Sequence, residues 1–349
     1  MMDENTTISI IIPAYNVENY ICNTLQSLEN QTHKNFEVIL INDGSEDNTL
    51  NVIENFIKSS KLDIKLINQE NAGVSVARNR GIKEANGTYI YFLDADDYVE
   101  HNIIEESSKI ILEKNPDLIY FKFDRVTSNG AIYQTYDEYY KIGNYVDGLD
   151  CLEDIVTYNT FVGICSSIYK KEVIDKFNVY FDSKHICGED QEFVMKYLVF
   201  SEDVTSINRV LHHYVIRKSS VTNSCNYRRL ELFNVLNNII EYLYTHKPDN
   251  EKAMKIIEEI QKYYLPDRIM DVIIILCYNA GKRNEYIQIE EIKKYVKNIR
   301  GYACNSLIVS LKNGKISKCL AILAYLISPK CICFFWDLYD RIRGKTKGI

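Results

Sequence analysis

The sequence predicts an α/β protein: a mainly parallel sheet with flanking helices, followed by an α-helical C-terminal region. Three observations predict it. Short apolar, β-branched runs alternate with helical repeats through roughly the first third of the chain. Polar clusters follow directly on several of those runs, and beyond Asn226 nearly every segment repeats with helical spacing. Strands that read as unbroken apolar runs are those covered on both faces, as in parallel sheets.

In order, Ile8 to Pro13 reads as a buried strand closed by proline, and Ile21, Leu25 and Leu28 then recur at helical spacing. Phe36 to Ile41 is a second strand, and Leu50, Ile53 and Ile57 mark a second helix. Ile64 to Ile67 is a third strand, Ser75 to Ala85 a helix, and Tyr89 to Leu93 a fourth strand. Ile103 to Leu112 reads as helix and Leu118 to Phe123 as strand. From Val126 to Gly148 the text turns polar and tyrosine-rich, which predicts a hairpin or loop. A mixed stretch to about Val221 contains Gly188-Glu189-Asp190 and a helical continuation. The rest is helix with expected breaks at Pro248, Pro266, Gly281, Gly301 and Pro329. The expected division is one α/β domain over residues 1–225 and a helical region over 226–349.

The chain has 349 residues, a net charge of −7 and a 46% hydrophobic share, enough for a sizeable core. An acidic balance suits nucleic acid poorly, because phosphate backbones are bound by clustered Lys and Arg. No nucleic-acid partner is expected, and any phosphate site must draw on local cations or a metal. The ten Cys are scattered, which fits reduced thiols rather than a disulfide framework. No basic segment followed by an apolar run opens the chain, so no secretory signal and a cytoplasmic location are expected. No Gly-x-Gly-x-x-Gly follows the first strand and no Gly-Lys-Ser/Thr loop appears, which excludes those two nucleotide fingerprints.

Ligands of parallel sheets bind at the carboxyl ends of the strands, and there the polar clusters lie. Asp94-Ala95-Asp96-Asp97 follows the fourth strand. Carboxylates so close repel one another unless a cation sits among them, and hard oxygens suit Mg²⁺ or Mn²⁺. The same residues also suit a helix N-terminus, a role open to Asp97 above all. Asn42-Asp43-Gly44-Ser45 follows the second strand; Asp43 could accept hydrogen bonds from a base or ribose, or the segment is an ordinary Asp-Gly turn. Arg78, in Ala77-Arg78-Asn79-Arg80-Gly81, offers a planar fork to a ligand, whereas Arg80 reads as a solvated helix face. Glu189 and Asp190 could supply a general base or cap the helix that follows. His212 and His213 read as strand histidines, with His212 the candidate metal ligand, and Arg217-Lys218 adds a small basic patch.

Taken in order, Pro13-Ala14-Tyr15-Asn16, Asn42-Asp43-Gly44-Ser45, Ala77-Arg78-Asn79-x-Gly81, Asp94-Ala95-Asp96-Asp97 and Gly188-Glu189-Asp190 resemble family 2 of the glycosyltransferases over about residues 8–220. The resemblance implies the GT-A fold, a Rossmann-like arrangement, and a part in bacterial capsule, exopolysaccharide or lipopolysaccharide assembly. It implies that Pro13, Ala14 and Tyr15 line the nucleotide pocket, that Asp43 meets the base, and that Arg78 contacts the nucleotide. Asp94 then lies near the ribose, Asp96 on a Mn²⁺ or Mg²⁺ ion, and Asp190 is the catalytic base with Glu189 beside it. The implied reaction moves one hexosyl group, with inversion, from a nucleotide-diphosphate sugar (UDP by default) to a hydroxyl of a saccharide or lipid-linked saccharide. The Q-x-x-R-W element of processive members is absent around the single Trp336, which implies one transfer per encounter. A non-catalytic nucleotide- or sugar-binding protein on the same fold is the alternative; a sugar nucleotidyltransferase would carry a Gly-rich loop with Arg and Lys where Pro13-Ala14-Tyr15-Asn16 stands.

The C-terminal third carries no readable motif. Its apolar run from Cys319 to Ile327, the interruption at Pro329, and the basic end suit either an interfacial membrane segment at 319–349 or a packed helical subdomain. The first reading expects a peripheral membrane contact at the inner face of the cell membrane.

Overall fold

The computed structural model describes residues 8–135, 142–216, 227–282, 288–328 and 331. They divide into two compact units, residues 1–184 with 189–218, and residues 185–188 with 219–349.

The first unit begins as expected. β1 (Ile8–Ala14), α1 (Ile21–Glu29), β2 (Phe36–Asp43), α2 (Thr49–Ser59), β3 (Ile64–Gln69), α3 (Val74–Glu84) and β4 (Tyr89–Phe92) alternate. The strands pair in parallel in the order β3-β2-β1-β4. Ile8, Ile10, Ile11 and Ile12 of β1 are all buried, which is why the strand shows no polar alternation. Ile21, Leu25 and Leu28 place one face of α1 in the same core. Gly81 lets α3 lie close on β1: a Cβ there would stand 2.3 Å from Cγ2 of Ile11.

Beyond β4 the sheet departs from the expectation. β5 (Tyr98–Val99), α4 (Ile103–Lys114), β6 (Leu118–Thr127), β7 (Ile132–Thr135), α5 (Gly148–Val156), β8 (Ser167–Lys170), α6 (Lys171–Phe177), α7 (Glu189–Leu198) and β9 (Val204–Ile216) complete the unit. The order continues β4-β8-β6-β9-β5, with β7 beside β6. β8 runs antiparallel between β4 and β6, β5 antiparallel to β9, and β6 parallel to β9. The sheet is therefore mixed rather than mainly parallel. The start of the polar stretch, as far as Thr135, forms the expected hairpin of β6 and β7, and its residues 136–141 lie outside the described residues.

The second unit is helical: α8 (Leu232–His246), α9 (Glu251–Glu259), α10 (Leu265–Lys282), α11 (Ile289–Tyr295), α12 (Ile299–Lys312) and α13 (Ile316–Ile327). The break at Pro248 is present, but two others are not. Pro266, the second residue of α10, comes just after a π-helical turn over Ile260–Tyr264, where the Leu265 N–H donates to the Ile260 carbonyl, and this local widening carries the helix past a residue that has no N–H. Gly301 lies in the first turn of α12, where its N–H donates to the Asn298 side chain at the N-cap. Asp267 is fully buried in α10, accepting from the Ser306 hydroxyl at 2.7 Å and pairing with Lys318 at 2.7 Å, which ties α10 to α12 and α13. Among the described residues no helix is long and apolar enough to cross a membrane. Pro329, Trp336, the basic end and Arg217-Lys218 lie outside the described residues.

Candidate active site

The carboxyl ends of β1, β2 and β3 stand side by side: Ala14 is opposite Asn42, and Asp43 opposite Gln69. Ala14 is buried and Pro13 half-buried, while Tyr15, the next residue, is exposed. The loops that follow are laced together. The Asn16 N–H donates to the Ser45 hydroxyl, the Glu46 N–H to the Asn16 side chain, and the Val17 N–H to Thr49. Gly44 is required twice over. Its φ is +67°, in the left-handed region, and a Cβ would stand 2.6 Å from the Asn71 nitrogen.

Asp43 is buried, and its carboxylate accepts from Gln69 Nε2 and the Ala72 N–H on one oxygen and from the Gly73 N–H on the other, at 2.7 to 2.9 Å. It thus shapes the turn into α3. Turn and ligand contact, which the sequence left as alternatives, are compatible, because each carboxylate oxygen has two lone pairs.

The four-residue acidic segment is pinned at both ends. The Leu93 N–H donates to Ile11 on β1. At the other end Asp97, fully buried, accepts from the Val215 N–H at 2.8 Å and faces His212 Nε2 at 3.0 Å. Burial pushes the Asp97 carboxyl up, with the His212 hydrogen bond pulling against it. Asp97 is therefore not a helix cap; it fastens the segment to β9. His212 leaves the candidate metal set for the same reason: its Nδ1 meets the Tyr91 hydroxyl at 3.2 Å, so both ring nitrogens are engaged inside the core.

Asp94 and Asp96 remain partly exposed, and Arg78 connects the first of them to the second acidic cluster. The Arg78 side chain is 3% exposed; its Nη2 lies 2.9 Å from Asp94 Oδ1 and its Nη1 pairs with Asp190 Oδ1, with Glu189 at 4.0 Å. Burial works against the guanidinium's charge, but Asp190 and Asp94 outweigh it and hold Arg78 protonated. Both terminal nitrogens of Arg78 meet carboxylates, so it acts as a clamp between the two acidic clusters.

Glu189 and Asp190 open α7 as first-turn acids, suited to the helix dipole, and both approach the Arg78 guanidinium. Loss of water pushes both carboxyls up, each further raised by a neighbouring acid and lowered by Arg78. Glu189 reaches about 8. Its side chain is 12% exposed against 41% for Asp190, so Asp190 is the one open to an incoming group.

Several supporting residues were not read from the sequence. Asn79 exchanges two hydrogen bonds with the Phe181 backbone, at 2.8 and 2.9 Å. Phe181 lies under the Arg78 guanidinium at 5.2 Å and stacks on Phe193 of α7 at 4.3 Å. The Asn79 signal was present beside Arg78; Phe181 had none.

Residues 9–177 match the model of "Glycosyl transferase family 2". Over these residues the chain is similar to family 2 of the glycosyltransferases. The match includes every cluster from Pro13 to Asp97 and ends before Glu189 and Asp190. Glycosyltransferase GlyA of Streptococcus pneumoniae serotype 4 is 34% identical over 223 residues, covering 62% of this chain and 31% of GlyA. The chain spans less than two thirds of the length of the first curated relatives it matches. Among solved structures, TarS 1–349 of S. aureus in complex with UDP-GlcNAc aligns with a TM-score of 0.65 at 19% identity, over 91% of this chain and 90% of that one. The mannosyltransferase PcManGT of Pyrobaculum calidifontis, in complex with GDP-Man and Mn²⁺, aligns with a TM-score of 0.54 at 12% identity, over 97% and 90%. These likenesses show the shared GT-A fold.

Proposed function

We propose that this chain is an inverting, metal-dependent glycosyltransferase that moves one sugar from a UDP-sugar to an acceptor hydroxyl in cell-surface polysaccharide assembly. The observation that carries this reading is the Arg78 clamp: it brings Asp94, after β4, and Asp190, at the start of α7, onto one guanidinium at the ligand end of the sheet. The family match, GlyA, and the UDP-GlcNAc complex of TarS support it.

The donor set fits a divalent ion. Asp94 and Asp96 offer hard oxygens two residues apart, and three carboxyl groups, of Asp94, Glu189 and Asp190, surround the one Arg78 guanidinium. Such an ion, held by Asp96 with Asp94, would neutralise the departing nucleoside diphosphate. The Mn²⁺ complex of PcManGT is consistent with this.

The chain's own residues do the rest. Tyr15, Ala14 and Pro13 border the nucleotide, and Asp43 accepts from the base at the end of β2. Asp94 holds the ribose side. Asp190, the more open acid, takes the proton of the acceptor hydroxyl as its oxygen attacks the anomeric carbon. One C–O bond forms as the bond to the diphosphate breaks, which inverts the centre. Arg78 holds Asp190 in place, and Glu189, protonated near neutral pH, adds no competing charge. Residues 1–225 carry this chemistry, with 226–349 serving a lipid-linked acceptor at the cytoplasmic face of the membrane.

The test is calorimetric titration with UDP, GDP and dTDP, each with Mn²⁺ and with chelator, on wild type and Asp190→Asn. Metal-dependent UDP binding by both, with transfer lost only in the variant, is expected. No nucleotide bound by folded protein would overturn the reading, and so would turnover retained by Asp190→Asn.

A further inference from the structure

We infer that α12 and α13 form an in-plane docking surface for an anionic lipid bilayer. This deepens the reading above, on which it rests, that the acceptor is presented at a membrane.

α13 is apolar on both sides. Cys319, Ala321, Ile322 and Tyr325 are buried, while Ile316, Leu320, Leu323 and Ile327 are exposed, Ile316 to 73% and Ile327 to 80%. Successive helical residues turn by about 100°, so these four exposed side chains share a sector about 60° wide. The Lys318 pairs with Asp267 and Asp271, at 2.7 and 2.6 Å, fix which side faces in and thereby aim the stripe outward. α12 adds exposed Ile308 and Leu311 just before the turn that joins the two helices. Large apolar side chains exposed singly are ordinary, but a contiguous set marks a contact surface.

The charge pattern selects the partner. Between Glu291 and Asp337 the sequence has no acidic residue and eight Lys or Arg, on a chain whose net charge is −7. Lys312 and Lys315 are exposed at the start of the stripe. An apolar stripe with a cationic, acid-free border is the pattern of a helix lying in the headgroup layer of an anionic membrane. A second copy of the chain fits less well, since a two-fold contact would set these cations against each other. Crossing the bilayer is excluded by length: α13 has 12 residues, about 18 Å against a hydrocarbon core of about 30 Å.

The experiment is co-sedimentation of the full chain with vesicles of phosphatidylcholine alone and with about one third phosphatidylglycerol, with UDP–Mn²⁺ titration on the same samples. Wild type is expected to bind the anionic vesicles more tightly, and less so as salt rises. Leu320→Gln/Leu323→Gln is expected to weaken binding about tenfold or more, with an unchanged helical spectrum and unchanged UDP binding. Lys312→Gln/Lys315→Gln is expected to lose the preference for anionic vesicles. The control Ile132→Gln, exposed on β7, changes nothing. Three results would overturn the inference: no sedimentation of wild type, sedimentation of the Leu variant equal to wild type, or a vesicle-free oligomer that the Leu variant dissolves. The last would assign the stripe to a second copy. UDP binding without vesicle binding would sink this inference while leaving the proposed function standing.

Discussion

Glu189 gives the site a pH signature that one substitution removes. Its carboxyl, ordinarily near 4.5, is pushed up to about 8 chiefly by burial and then by Asp190. The folded chain therefore holds this proton more tightly than the unfolded chain does. Its contribution to stability is fully present below about pH 4.5 and is lost as pH rises through about 8. At about 1.4 kcal/mol per pH unit, that window corresponds to a loss of at most roughly 4 to 5 kcal/mol. With only 12% of the side chain exposed, solvent screens little of it. Glu189→Gln keeps the shape and cannot ionise, so its stability should hold across the window in which wild type declines. The Asp190 carboxyl, raised by burial and by Asp94 against the pull of Arg78, titrates in both proteins, so the difference between the two curves belongs to Glu189. Urea unfolding at intervals from pH 5 to 9, with chelator present, reads the difference directly. The variant should gain on wild type as pH rises from 5, most steeply between about 5.5 and 7, and the gain should level off above about 8. Parallel curves for the two proteins would refute the reasoning and place Glu189 in solvent.

Two further outcomes follow from the same geometry. Arg78→Met leaves Asp94 and Asp190 without their cation and should cost about 3–5 kcal/mol at neutral pH, since breaking a buried pair strands the remaining charge; the loss should shrink at pH 5, and equal losses at both pH values in urea unfolding would count against the clamp. Asp97→Asn keeps an acceptor for the Val215 N–H but sets an amide against His212, which should cost about 1–3 kcal/mol; a change within a few tenths would show that the tether to β9 does not hold the acidic segment.

The parallel half of the sheet was legible because its strands are long apolar runs, Ile8 to Ile12 and Phe36 to Ile41, with helices of plain periodicity between them. The other half was not. β5 has two residues and β8 four, too few for any period to show, and β9 mixes buried Leu211 and Val215 with the histidine pair. A short strand inserted antiparallel between β4 and β6 leaves no sequence trace, so the mixed character of the sheet could not be foreseen. The site divides the same way. Clusters placed just after parallel strands pointed to Asp43, Asp94 and Asp96. The role of Arg78 depended on a partner 112 residues away, and His212 looked like a ligand only while the Asp97 and Tyr91 side chains that occupy it were out of view.

The clamp also decides how a net-acidic chain would hold a diphosphate. Arg78 is the cation at the centre of the site, yet its two terminal nitrogens are committed to Asp94 and Asp190. Two carboxylates on one guanidinium leave a negative charge in excess before Asp96 is counted. A bare diphosphate would be repelled there, more strongly in a pocket that excludes water. A divalent ion held at Asp94 and Asp96 would reverse that sign and make the same carboxylates an asset. On the proposed reading, then, donor affinity should not merely weaken with chelator but fall below detection, and Asp96→Ala should reproduce that loss at any Mn²⁺ concentration that leaves wild type saturated. UDP binding that survives chelation would mean that cations outside this cluster hold the phosphates, and the assignment of Asp96 to the ion would have to be given up.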